Sequence, residues 1–94
     1  MVIGVCTIEL YLPGNHSLKG KRSVLKSITS RLRREFNISI AEVDSHDVWQ
    51  SATMGVACVS NRQDYAHGLL TQVVEWIEHH RLDIQLVDYE IEML

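Results

Sequence analysis

The feature that most constrains this chain is the order in which its hydrophobic period changes: alternation, a three-four spacing, alternation twice more, a second three-four stretch, and a last alternation. Residues 2 to 12 are rich in β-branched side chains and stop at Pro13-Gly14-Asn15, which makes them a strand ended by turn residues. Its even positions Val2, Cys6, Ile8, Leu10 and Leu12 are apolar, whereas the odd set turns polar at Thr7 and Glu9, so the even side is expected to meet the core. Ser17 is the expected N-cap of a helix. Leu18, Val24, Leu25, Ile28, Leu32 and Phe36 follow it on one stripe, for about five turns ending on Asn37. Residues 38 to 45 and 49 to 59 read as two strands joined across His46-Asp47. Asn61, or Ser60 with Gln63 as a capping box, is expected to open a second helix. That helix has Ala66, Leu69, Leu70, Val73, Trp76 and Ile77 on one face and ends near His79-His80-Arg81. In residues 84 to 93, Val87, Tyr89, Ile91 and Met93 alternate with Asp88, Glu90 and Glu92, a final strand with two distinct faces.

Strand and helix in the order βαββαβ, within 94 residues, predict a single domain of the α+β class with a ferredoxin-like arrangement. Right-handed crossovers place both helices on one face of a four-stranded antiparallel sheet of order 4-1-3-2 and leave the other face open. The larger nucleotide-binding and barrel folds are excluded by length alone. No apolar run approaches the ~20 residues of a membrane span. Met1 leads almost directly into a strand pattern with no long apolar leader, and Cys6 and Cys58 lack a CxxC context, so a reducing, cytoplasmic setting is expected.

Composition matters chiefly through where the charges fall. The net charge of -3 conceals a segregation. Residues 1 to 34 hold seven Lys/Arg against Glu9 alone, and residues 35 to 94 hold two against eleven acids. All seven early cations, Lys19, Lys21, Arg22, Lys26, Arg31, Arg33 and Arg34, lie in the first helical segment, which has no acid among them. On a helical wheel Lys19, Arg22, Lys26 and Arg33 fall within about 60° of one another, beside the apolar stripe. Like charges three or four apart cost a helix roughly 0.2 to 0.5 kcal/mol per pair, a cost that a bound anion would remove. The row starts at a helix N-terminus, where free N–H groups favour phosphate, and a nucleic-acid backbone supplies phosphates in series. The expected contacts are Lys19, Arg22, Lys26 and Arg33, assisted by Lys21 and Arg34, with RNA or a ribosomal particle as partner. The competing explanation is that these residues are good helix formers that snorkel over a small core and keep the chain in solution. Lys21 falls within the apolar arc and is expected to escape at the first turn or lie near the loop.

Several strings resemble a known family: Ser17-Leu18-Lys19-Gly20-Lys21-Arg22 at the first helix, 37 to 44 (Asn-Ile-Ser-Ile-Ala-Glu-Val-Asp) on the second strand, and Asp47-Val48-Trp49-Gln50 before the third. The chain resembles the YlxP-like family of small bacterial proteins, a group defined as a domain of unknown function, over nearly its whole length. The resemblance implies a ferredoxin-like fold and, from the family's frequent gene neighbourhood among translation and ribosome-maturation factors, a link to RNA or ribosomes. It implies no catalytic residues. Gly20 departs from the charged residue more usual at that place and loosens the first helical turn.

Other chemistries are weakly signalled. The open sheet face is expected to gather Glu9, Asp88, Glu90 and Glu92, joined by Glu42 and Asp44, and so to repel phosphate. No string of interleaved aromatic and basic residues marks it as a stacking surface for single strands. Asp44, His46 and Asp47 crowd the hairpin, where short polar residues ordinarily make turns and a metal would need a third, distant ligand. Neighbouring His79 and His80 point about 100° apart and do not chelate one ion. Buried thiols are expected at Cys6 and Cys58. A non-enzymatic binding protein without cofactor or metal is therefore expected. The alternative is a homo-oligomeric module that pairs through the open sheet face or an edge strand.

Overall fold

A computed structural model describes residues 1–94. Its elements are β1 (Val2–Tyr11), α1 (Leu18–Glu35), β2 (Ser39–Asp44), β3 (Ser51–Ser60), α2 (Gln63–His80) and β4 (Gln85–Met93). The four strands form one antiparallel sheet in the order β2-β3-β1-β4, so the expected ferredoxin-like α+β topology is the one the chain adopts. Gly4, Cys6, Ile8, Leu10 and Leu12 are buried beneath the helices, as the alternation of β1 requires. Their register partners on β3, Cys58, Val56, Met54 and Ala52, are buried with them. Leu25, Ile28 and Leu32 of α1, and Ala66, Leu70, Val73 and Ile77 of α2, complete the core from above. Each such aliphatic side chain contributes roughly 1.5 to 3 kcal/mol on burial. Neither helix is long and apolar enough to cross a membrane.

Several local expectations change. Ser17 caps α1 by accepting the Gly20 N–H at 2.9 Å, but the helix closes one residue early, at Phe36, whose N–H donates to the Leu32 carbonyl at 2.9 Å. Asn37 thus lies beyond the cap. The N-cap of α2 is Arg62 and not Asn61 or Ser60; Ser60 Oγ instead accepts the Arg62 N–H at 3.0 Å and tightens the entry. The alternation of β4 is broken by a bulge opposite Glu9 and Leu10, which turns Val87 out to 65% exposure and gives its inward place to Leu86. A second bulge, in β2 between Glu42 and Asp44, frees Val43 to lie over Gly55 on the open face. A Cβ on Gly55 would stand 2.9 Å from Val43 Cγ1, so a larger residue here would push the Val43 side chain aside.

Candidate functional site

The inward arc of α1 runs Lys21, Leu25, Ile28, Leu32, so its first buried position is occupied by an ammonium group. Lys21 does not escape. It is 1% exposed, and its Nζ donates to the Ser45 carbonyl at 2.7 Å and the Ser51 carbonyl at 3.2 Å, and stands 2.7 Å from Glu42 Oε2. The Glu42 contact is coulombic: Oε2 makes no hydrogen bond of acceptable angle. Two carbonyls thus accept from the buried ammonium and a carboxylate supplies its counter-charge, which is what keeps a charged group stable there. Ser45 is the one non-glycine residue with positive φ, at 63°. Its carbonyl, held by Lys21, also accepts the Val48 N–H at 3.0 Å, and Asp44 Oδ1 accepts the Ser45 N–H at 2.7 Å. Two assignments are corrected at once. Lys21 fastens the β2–β3 loop to α1 and is withdrawn from the phosphate-contacting set, and Glu42 belongs to the helix side of the sheet and not to its open face.

One residue further round the helix, the row of exposed cations survives. Lys19, Arg22, Lys26, Arg33 and Arg34 are exposed, and none is ion-paired with a carboxylate. Arg22, Lys26 and Arg33 line one wall of a groove of ≈ 240 Å³ whose other wall is the edge strand β2, with Ile40, Ala41 and Glu42. Thr29 lies in the same groove, between Lys26 and Arg33, with its hydroxyl turned back to the Lys26 carbonyl at 3.2 Å. Arg33 has a second employment, donating from Nη2 to the Ile40 carbonyl at 2.9 Å and so covering part of the free edge of β2. Arg33 and Arg34 also sit in the last turn, where the macrodipole favours cations. Lys19, Arg22 and Lys26 have neither justification. Lys19 stands at the dipole's positive end, and the first turn holds no acid. Arg31, which lies off the row, packs over the Trp76 ring at 5.7 Å, with His80 stacked on the same indole at 4.8 Å.

The remaining charges are arranged oppositely. On the open sheet face Glu9 is paired in register with Asp88, Thr7 with Glu90 and Val5 with Glu92, an acidic column along β1 and β4. The half of that face formed by β2 and β3 is small and apolar, with Ala41, Val43, Gly55 and Ala57 around a shallow hollow of ≈ 380 Å³. A hollow of ≈ 400 Å³ beside Ile38, Cys58 and Val59 has no cation in its wall.

Chemistry of other kinds finds little to use. Burial pushes the Cys6 thiol up to about 11, opposed by a weaker backbone hydrogen bond at Glu90, away from the range of a reactive thiolate. Cys58 is buried and its Sγ faces the Ala66 carbonyl at 3.9 Å. His79 and His80 each turn Nδ1 to a carbonyl of their own helix, Glu75 at 2.7 Å and Trp76 at 3.0 Å. No group of three or more His, Cys, Asp or Glu converges where a metal could sit, and Asp44 is engaged in the turn itself.

The residue that the charge pattern did not single out is Trp49. It is 55% exposed on the β2–β3 loop and, through its backbone, tied to the loop that precedes α1: Asn15 Nδ2 donates to both the Trp49 and Ser17 carbonyls. Its neighbour Gln50 donates to the Pro13 and Asn15 carbonyls at 3.3 and 3.2 Å, and the Leu12 N–H donates to the Gln50 carbonyl at 2.8 Å. The string Asp47-Val48-Trp49-Gln50 contains this residue, but only the cross-loop bonds show which element it serves.

Residues 3–91 match the family described as "Protein of unknown function (DUF503)". A Bacillus subtilis (strain 168) protein named "Uncharacterized protein YlxP" is 36% identical over 77 residues, which cover 82% of this chain and 84% of that protein. A match that spans the whole βαββαβ unit from β1 into β4 places the chain in that family: it belongs to the DUF503 group of YlxP-like proteins.

Proposed function

We propose that this protein is a non-enzymatic, cytoplasmic RNA-binding protein, associated with the ribosome or its assembly, that holds the sugar-phosphate backbone in the groove between α1 and β2. The observation that carries the reading is the exposure of Lys19, Arg22 and Lys26 without a single carboxylate partner, in a row that begins with Lys19 at the helix end where cations are least favoured. Arg33 closes the far end of the row, and Arg34 reinforces it from the last turn. Phosphates recruited here meet a positive wall, the free edge of β2 and no acid except Glu42, whose charge Lys21 already balances. The acidic column on the opposite side of the sheet steers RNA to this side. Contacts of this kind read backbone and shape, so sequence preference is weak.

The test is the salt dependence of binding to a short RNA. Four neutralised phosphates give a log-log slope of about -3 to -4. Replacing Arg22→Glu and Lys26→Glu together is expected to flatten that slope by about half without unfolding the domain. Unchanged affinity and slope in the double variant reject the site. A second reading, self-association, is favoured by one observation: Val43 and Val59 are 56% and 65% exposed on the small, apolar half of the open face. Sedimentation over a range of protein concentrations distinguishes it, because Val59→Lys would then lower the mass while the α1 reversal would not.

A further inference from the structure

We infer that Trp49 is a stacking platform for an unpaired base, carried on the loop bonded to the segment that opens α1, so that the RNA bound along α1 is single-stranded where it passes the helix N-terminus. The inference rests on the phosphate-binding reading above and adds a nucleobase contact to it. Its physical basis is a chain of placements from the helix to the indole. A Cβ on Gly20 would collide with Asn15 Oδ1, so glycine at this position makes room for the Asn15 side chain in the first turn of α1. Asn15, seated there, reaches with Nδ2 to the Trp49 carbonyl. Gln50 and Leu12 fasten the same loop from the other side, and Lys21 anchors it at Ser45 and Ser51. The indole is therefore carried on backbone that is bonded at Ser45, Trp49, Gln50 and Ser51, one side chain away from the turn that bears Lys19 and Arg22.

A tryptophan more than half exposed gives up most of the stabilisation its burial would bring. Here an extensive set of hydrogen bonds holds its backbone at the surface when a less restrained loop could fold the ring inward. Trp76, the other tryptophan, is 8% exposed and packed against Arg31 and His80, which shows how this fold treats a tryptophan used for packing. An exposed flat ring on a loop bonded to the segment that opens α1, where the basic row begins, offers the pairing that single-strand binding proteins use, with phosphates held by charge and bases by stacking.

The test compares a ten-nucleotide oligoadenylate RNA with an abasic ribose-phosphate oligomer of the same length, using tryptophan fluorescence and the salt dependence of affinity. Stacking predicts that oligoadenylate quenches the emission and binds about tenfold more tightly than the abasic oligomer, while the two share one salt slope. Trp49→Ala should abolish that preference, and Trp49→Phe should keep most of it while losing the quenching. Equal affinity for the two oligomers, or a preference that survives in Trp49→Ala, overturns the stacking role and leaves the phosphate track standing. If neither oligomer binds, the phosphate reading falls, and the platform with it. Gly20→Ala is a second check on folded protein: dislodging Asn15 should weaken oligoadenylate and leave the abasic oligomer unaffected.

Discussion

The two βαβ halves of this molecule treat their arginines and lysines differently. In the second half each cation has an acid two residues on: Arg62 is bound by Asp64 at 2.7 Å, and Arg81 by Asp83 at 2.8 Å, both through two parallel hydrogen bonds. In the first half only Lys21 has a carboxylate partner, and that partner comes from another element. Local pairing uses side chains that chain connectivity already keeps close, so it needs little tertiary support and neutralises the surface. The first half has no acid from Lys19 to Arg34 and thus no local means of neutralisation. Its cations are buried with a distant partner, as at Lys21, spent on a carbonyl or a ring, as at Arg33 and Arg31, or left for something outside the molecule.

The contrast can be broken most severely at Lys21. Lys21→Ala leaves Glu42 and two carbonyls facing each other without a counter-charge, and a loss of about 3 to 5 kcal/mol in urea unfolding is expected. Lys21→Met combined with Glu42→Leu should recover most of it, because the cost is that of an orphaned charge and not of a missing favourable pair. An uncoupled pair of losses in the double-mutant cycle would refute the buried pairing. Next in size is the free row. Arg22→Glu with Lys26→Glu should lower RNA affinity more than tenfold at low salt, with a melting temperature within a few degrees of the parent.

Gly20→Ala sharpens the comparison in a different way. Alanine brings about 1 kcal/mol of helix propensity, and displacing Asn15 loses two hydrogen bonds of about 1 kcal/mol each, so stability should move by about 1 kcal/mol or less. Trp49 fluorescence is expected to change all the same. The smallest effect belongs to the paired half. The hydrogen bond from Arg81 holds the Asp83 carboxyl below the usual carboxylate range, against a weaker opposing effect of burial. A lowered folded pKa stabilises above the unfolded value near ~3.9 and is lost as pH falls through the folded value. Asp83→Asn should therefore shrink the acid-induced fall in the urea midpoint slightly, since Asp83 is half exposed. Asp64→Asn, on an exposed pair, should change stability by less than about 0.5 kcal/mol.

How far the sequence was legible depends on the range of the physics involved. Ile8 and Leu10, or Ile28 and Leu32, are recognisable as core from period alone, because an alternating or three-four pattern leaves each residue one side to occupy. The bulges at Val43 and Val87 are invisible to period, since each inserts one residue and moves the alternation out of step. Lys21 did carry a signal. It shares the arc of Leu25, Ile28 and Leu32, and Glu42 is in step with buried Ile40, so opposite charges stood at two inward positions. The Asn15 to Trp49 bond, 34 residues apart, had no such signal.

The order of strands and helices, the faces they bury and the crowding of positive charge into α1 were all set by the sequence, because each follows from neighbours along the chain. Which of those cations goes inward, which covers the edge of β2, and where the Trp49 indole comes to rest were decided by the assembled sheet. Partners such as Glu42, the Ile40 carbonyl and Asn15 reach them only when the chain has folded, and hydrogen bonds act over distances that sequence separation does not reveal.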